Sequence, residues 1–115
     1  MKLYLAGPMR GLPQCNFPAF YEGAAQLRAA GYTVWSPAEN DIAVGITEET
    51  AQKVTTKSAM RVDLPALLEQ DAIAVLPGWE KSRGAAIEIY VAKACGMAVY
   101  TVESLLVHNP VLATC

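Results

Sequence analysis

One stretch limits the possible folds of this chain more than any other. It runs Asp71-Ala-Ile-Ala-Val-Leu-Pro-Gly-Trp-Glu-Lys-Ser-Arg-Gly-Ala-Ala-Ile-Glu88 and on through Ile89-Tyr-Val-Ala92. Ala72 to Leu76 is a short apolar run with the length of a buried strand, and Pro77-Gly78 stops it. A polar loop follows from Trp79 to Arg83, and a helical pattern begins at Gly84 with one carboxylate, Glu88, about a turn inside. Strand, loop and helix N-terminus in that order form a cradle for anionic or sugar groups, because the first N–H groups of the helix have no partner within it.

The remaining chain repeats this pattern. Residues 2 to 6 read as a first buried strand, ended by Gly7-Pro8-Met9-Arg10-Gly11. Asn16 is an N-cap candidate with Pro18 in the first turn, and Phe17, Phe20, Ala24 and Leu27 share one helical face up to about Ala30. Gly31 stops that helix, and Tyr32 to Trp35 is a second strand. From Ala38 to Lys57 the periodicity fades into a polar connection, expected to rim or cover the pocket, in which Thr47 caps a short helix. Ser58 to Gln70 reads as a helix in two pieces, with Pro65 forcing a restart near Asp63. A helix over 84–95, a strand over 97–101 and a short helix over 103–107 complete the order, and His108-Asn109-Pro110 leads into an apolar tail.

Alternating strands and helices predict an α/β three-layer sandwich: a parallel flavodoxin- or Rossmann-like sheet of order 2-1-3-4, helices on both faces, a short fifth strand left open. Residues 1–115 form one domain in this reading, with a composition 53% apolar and 17% charged that suits a buried sheet and a homodimer or higher homo-oligomer. In such sheets ligands bind where the carboxyl ends of strands one and three diverge, which brings the loops 7–11 and 77–84 to one crevice. The net charge of −2 argues against nucleic acid as the main partner. No run approaches a membrane span, and no secretory signal precedes the first strand, so the expected setting is the cytoplasm. Three cysteines without metal-ligand spacing imply neither a metal nor a disulfide, and no cofactor is expected.

Glu88 admits two readings, a solvated helix carboxylate or a nucleophile or base above the sheet. Its small and apolar neighbours Ala85, Ala86, Ile87 and Ile89 favour the second, since a lone acid there adds little to solubility. Asp63 is either an N-cap or an acid paired with Glu88. Arg10 is a surface cation or a fork for phosphate or carboxylate. Ser82 and Gly84 either cap the helix or hold an anion, and Trp79 could stack on a base. The glycine loop has neither the dinucleotide nor the P-loop spacing.

Three segments, Leu3-Tyr-Leu-Ala-Gly-Pro-Met-Arg-Gly11, Val62-Asp-Leu64 and Ser82-Arg-Gly-Ala-Ala-Ile-Glu88, resemble the nucleoside 2-deoxyribosyltransferase superfamily, closest to a short branch met in phage and bacterial genomes. The resemblance reaches to about Tyr100. It implies cleavage of the N-glycosidic bond of a deoxynucleoside, with Glu88 attacking the anomeric carbon to give a covalent glycosyl-enzyme that a second base or water resolves. It further implies Asp63 as the acid assisting the leaving base, Tyr4 beside the nucleophile, and sugar or phosphate contacts from Gly7, Arg10 and Gly11; Pro8, Met9, Arg83 and Gly84 are further candidates for the substrate site. One departure bears on the substrate. The transferases carry a carboxylate six residues before the nucleophile, where this chain has Ser82, as the deoxynucleoside 5′-monophosphate N-hydrolases do. The reading put first is therefore a monophosphate N-glycosidase, hydrolase or transferase; the alternatives are a free-nucleoside 2-deoxyribosyltransferase and a non-catalytic nucleotide-binding module. The family often completes its site from a neighbouring subunit, for which His108 and Asn109 are candidates by position.

Overall fold

The computed structural model describes residues 1–107. Its strands are β1 (Lys2–Ala6), β2 (Thr33–Trp35), β3 (Ala72–Val75) and β4 (Ala98–Thr101), all parallel, in the order β2-β1-β3-β4. The helices are α1 (Phe17–Ala29), α2 (Pro37–Ala43), α3 (Glu48–Ala51), α4 (Thr56–Leu68), α5 (Arg83–Ala94) and α6 (Val102–Val107). This is the three-layer parallel sandwich expected from the sequence. His108 and Asn109, and any fifth strand from the tail, lie outside the described residues.

The two-residue period of a strand divides the core. Leu3, Leu5, Ala72, Ala74 and Leu76 pack on one face with Phe17, Phe20, Ala24 and Leu27 of α1 and Val102 and Leu105 of α6. Tyr4, Ala6, Ile73 and Val75 pack on the other with Leu67 of α4 and Ala85, Ile89 and Ala92 of α5. Asp71 fixes the entry of β3, its Oδ2 accepting the Lys2 amide at 2.7 Å. β1 and β3 are paired to their ends, Ala6 opposite Val75, so their exit loops leave side by side.

Three local expectations are corrected. α4 is one continuous helix from Thr56, capped by Thr55, and Pro65 sits inside it. Pro65 is exposed, so its ring and the lost hydrogen bond face solvent while α4 packs along α5. Asp63 is therefore a mid-helix residue and not an N-cap. The segment after β2 is not loop from Ala38: Ser36-Pro37 opens α2, with proline at the first helical position, where its missing N–H costs nothing. Asn16 begins α1, but in the left-handed region and without a side-chain cap bond.

Candidate active site

A cavity of about 1110 Å³ opens at the carboxyl ends of β1 and β3. The β1 exit contributes Gly7, Pro8, Met9 and Arg10; the β3 exit and the start of α5 contribute Ser82, Arg83, Gly84 and Glu88. Close packing sets this geometry. A Cβ on Gly7 would stand 2.8 Å from Leu76 Cβ, so only glycine lets β1 turn out beside the end of β3. Gly78 turns the chain at the end of β3 with φ of 87°, in the left-handed region that favours glycine. Ser82 then caps α5, its Oγ accepting the Ala85 amide at 3.2 Å, and one turn later Glu88 points down toward the sheet.

Glu88 is 5% exposed. It accepts a short hydrogen bond from the hydroxyl of Tyr4, 84 residues away in β1. Tyr4 is fully buried and stacked on Trp35 of β2, with ring centroids 5.2 Å apart, which fixes its ring under the carboxylate. Burial, then the Glu88 charge, raises the Tyr4 pKa, so the phenol stays a neutral donor. Burial drives the Glu88 pKa up to about 8; the Tyr4 hydrogen bond opposes the rise and the charge of Asp63 adds to it. Asp63, half-buried on the neighbouring α4, is raised to about 7 by burial and by Asp41. The cavity floor is thus a coupled pair of acids that gives up its protons around and above neutral pH, the range in which acid and base work is done.

Asp41 is a third carboxylate lining this cavity, and the sequence reading did not single it out. It sits on α2, with a pKa raised by burial to about 6. The signal that could have found it was Ser36-Pro37 followed by Glu39, a helix-start pattern that would have carried Asp41 back over the end of the sheet. Among the described residues, no cluster of three or more His, Cys, Asp or Glu side chains could hold a metal ion.

A second feature missed in the sequence is the turn at Gln14, Cys15 and Asn16, of which Cys15 and Asn16 form part of the cavity wall. All three have positive φ, at 55°, 52° and 60°, a left-handed turn that L-residues adopt at a cost of roughly 1–2 kcal/mol each. Asn16 offsets part of this by donating its Nδ2 to the Pro8 carbonyl at 2.8 Å, tying the wall to the β1 exit. Gln52 ties the same loop to the α3–α4 link: Oε1 accepts the Gly11 amide and Nε2 donates to the Leu12 carbonyl, both at 3.0 Å. The connection after β2 therefore does rim the pocket.

Two residues expected at the site are not among those that line the cavity. Trp79 does not line the cavity; it packs with the apolar cluster on the α4–α5 face of the sheet, where an indole loses less than in water. Gly11 is outside the lining as well, its amide spent on Gln52. Tyr4 reaches the cavity only through Glu88.

Residues 1–101 match the family described as "Domain of unknown function (DUF4406)". No curated protein sequence matches the chain. Among solved structures, the 2-deoxyribosyltransferase of Bacillus psychrosaccharolyticus superposes with a TM-score of 0.62 at 20% identity, over 88% of this chain and 71% of that one. At that identity the likeness is one of fold.

Proposed function

Because the chain belongs to the DUF4406 family and shares its fold with a 2-deoxyribosyltransferase, we propose that it moves a 2-deoxyribosyl group between bases through a covalent ester on Glu88. One observation carries the reading. A carboxylate 5% exposed, held by a buried tyrosine, opens onto a cavity whose adjacent helix presents a second acid. Burial of a carboxylate this deep costs stability that a structural role would not repay.

In the first half-reaction the ionised Glu88 oxygen attacks the anomeric carbon. The C–N bond breaks as Asp63 gives its proton to the departing base nitrogen. In the second, a nitrogen of the incoming base attacks the same carbon, the ester bond breaks, Glu88 leaves as carboxylate, and the nitrogen's proton passes to Asp63. Two displacements give net retention. Tyr4 is the positioning residue: its hydroxyl selects one carboxylate rotamer and stabilises the charge that must be present at attack. Water in place of the second base would give hydrolysis.

The likeness to a 2-deoxyribosyltransferase supports free-nucleoside transfer better than the monophosphate hydrolysis read first from the sequence. The monophosphate remains a second reading on one observation: Ser82, a neutral residue, lines the cavity at the start of α5, near Arg83 and across from the β1 exit with Arg10. The test incubates the protein with a 2′-deoxynucleoside and a different free base, follows the exchanged nucleoside by chromatography, and seeks a deoxyribosyl adduct by intact mass. Exchange or base release that Glu88→Ala abolishes is the expected result. A panel of deoxynucleosides and monophosphates unchanged at high protein concentration would end the proposal.

A further inference from the structure

The cavity carries more positive charge than a free nucleoside can use. Arg10, Lys53, Lys81 and Arg83 all line it, and all are exposed, so the cavity's solvent-facing rim is basic. They arrive from three separate segments: the β1 exit, the α3–α4 link and the β3 exit. The chain has 9 Lys and Arg against 11 Asp and Glu, so gathering these four at one cavity runs against its overall charge. None has a carboxylate partner, because the ion pair found among the described residues is Arg28 with Glu39. Arg10 donates to the neutral hydroxyl of Thr56, at 3.2 Å. Isolated exposed cations are ordinary solvated surface; four converging on one concavity create a focused field.

Three further observations bear on this field. The acids lining the cavity offset only part of this charge at neutral pH: burial keeps the proton on Glu88 to about 8 and leaves Asp63, at about 7, half ionised, while Asp41, at about 6, carries most of its charge. The volume of about 1110 Å³ exceeds the roughly 300–1,000 Å³ of a typical small-molecule site, leaving room beyond one sugar and one base. The first residues of α4 and α5 line the cavity as well, so the partial positive ends of both helices add to the same field.

The geometry points to this rim as the recognition site for a 5′-linked diphosphate, that of a nucleoside di- or triphosphate or of a dinucleotide, which occupies the pocket ahead of a free nucleoside. The inference rests on the pocket being a nucleoside site and adds which member of that class it holds most tightly. The two guanidinium groups suit phosphate oxygens in pairs, and the two ammonium groups act as point charges on the rest.

Calorimetric titration of the full-length Glu88→Gln protein, in which turnover cannot obscure binding, tests it. The ligands are 2′-deoxyadenosine, its 5′-mono-, di- and triphosphates, NAD as the dinucleotide, and inorganic pyrophosphate as a probe of the rim that needs no base. Binding should tighten about tenfold or more from nucleoside to diphosphate, and the gain should shrink in high salt. The di- or triphosphate and NAD arms tell the two sources apart. The Lys53→Ala/Lys81→Ala double substitution, at two exposed positions, should bring the diphosphate-to-nucleoside ratio toward one. Equal affinities along the series, a ratio that survives the double substitution, or no binding by pyrophosphate or any nucleotide overturns the inference. Base exchange from free deoxynucleosides beside a flat phosphate series would refute this step alone; a steep series with no exchange or base release would refute the transfer chemistry alone.

Discussion

The substitution Glu88→Gln separates what this carboxylate does for the fold from what it does in the pocket. In the native protein Glu88 keeps its proton up to about pH 8, whereas the unfolded chain releases it near the ordinary carboxylate value of about 4.3. Between those limits the native state binds more protons, so stability is full below the lower value and falls as pH rises through the upper one. At about 1.4 kcal/mol per pH unit, the rise corresponds to on the order of 5 kcal/mol lost above pH 8. Glutamine keeps an oxygen for the Tyr4 hydroxyl and has no proton to lose. Urea and thermal unfolding of both proteins between about pH 5 and pH 9 should therefore give similar stability at the acid end. At the alkaline end the variant should gain a few kcal/mol, on the order of 10 °C in Tm for a domain this size, while losing glycosyl transfer. A residual decline with pH should remain in the variant, from Asp63 and Asp41, which are also raised. Parallel pH–stability curves, or a variant less stable than the native chain at pH 9, would refute the argument that burial of an ionisable Glu88 is held at a cost in stability.

The pH dependence of kcat/KM should be a narrow bell centred between about 7 and 8, since Glu88 must be ionised while Asp63 still holds its proton; Asp63→Asn should remove the alkaline limb in the rate profile. Tyr4→Phe should raise the Glu88 pKa further, lower kcat/KM because fewer molecules then pair an ionised Glu88 with a protonated Asp63, and move the alkaline limb of the same profile upward, an effect that loss of packing alone would not produce. Gly7→Ala should cost roughly 1–3 kcal/mol in denaturant unfolding because its Cβ meets Leu76, and Gly7→Ala combined with Leu76→Ala should cost less than the two separately; strict additivity would show that the contact is not made. Ser82→Asp should preserve the α5 cap, hence the Tm, while weakening 5′-monophosphate binding relative to the free nucleoside in a titration.

Sequence alone determined the layers of this protein. Apolar runs at 2–6 and 72–76, each closed by glycine and proline, were recognisable as buried parallel strands because their neighbours in sequence supply both the period and the stop. The same local chemistry marked Gly31 and Ser82 as helix boundaries, and the order of elements then allowed few sheets other than β2-β1-β3-β4. Where local signals conflicted, tertiary packing decided: Pro65 reads as a break, yet α4 runs through it because its ring is on the solvent side. Trp79 reads as a pocket residue, yet the apolar face beneath α5 takes it. Asp41 was missed because α2 is too short to show a period and only its Ser36-Pro37 start marks it, and the left-handed turn at 14–16 because no glycine announces it. Above all, nothing within either segment brings Tyr4 to Glu88 across 84 residues. That contact needs β1 and β3 in register, Gly7 yielding to Leu76, and Trp35 stacked beneath the phenol. Local periodicity sets which face a residue takes; only the packed sheet sets which distant residue it meets there, and the raised pKa of Glu88 exists only once that packing has excluded water.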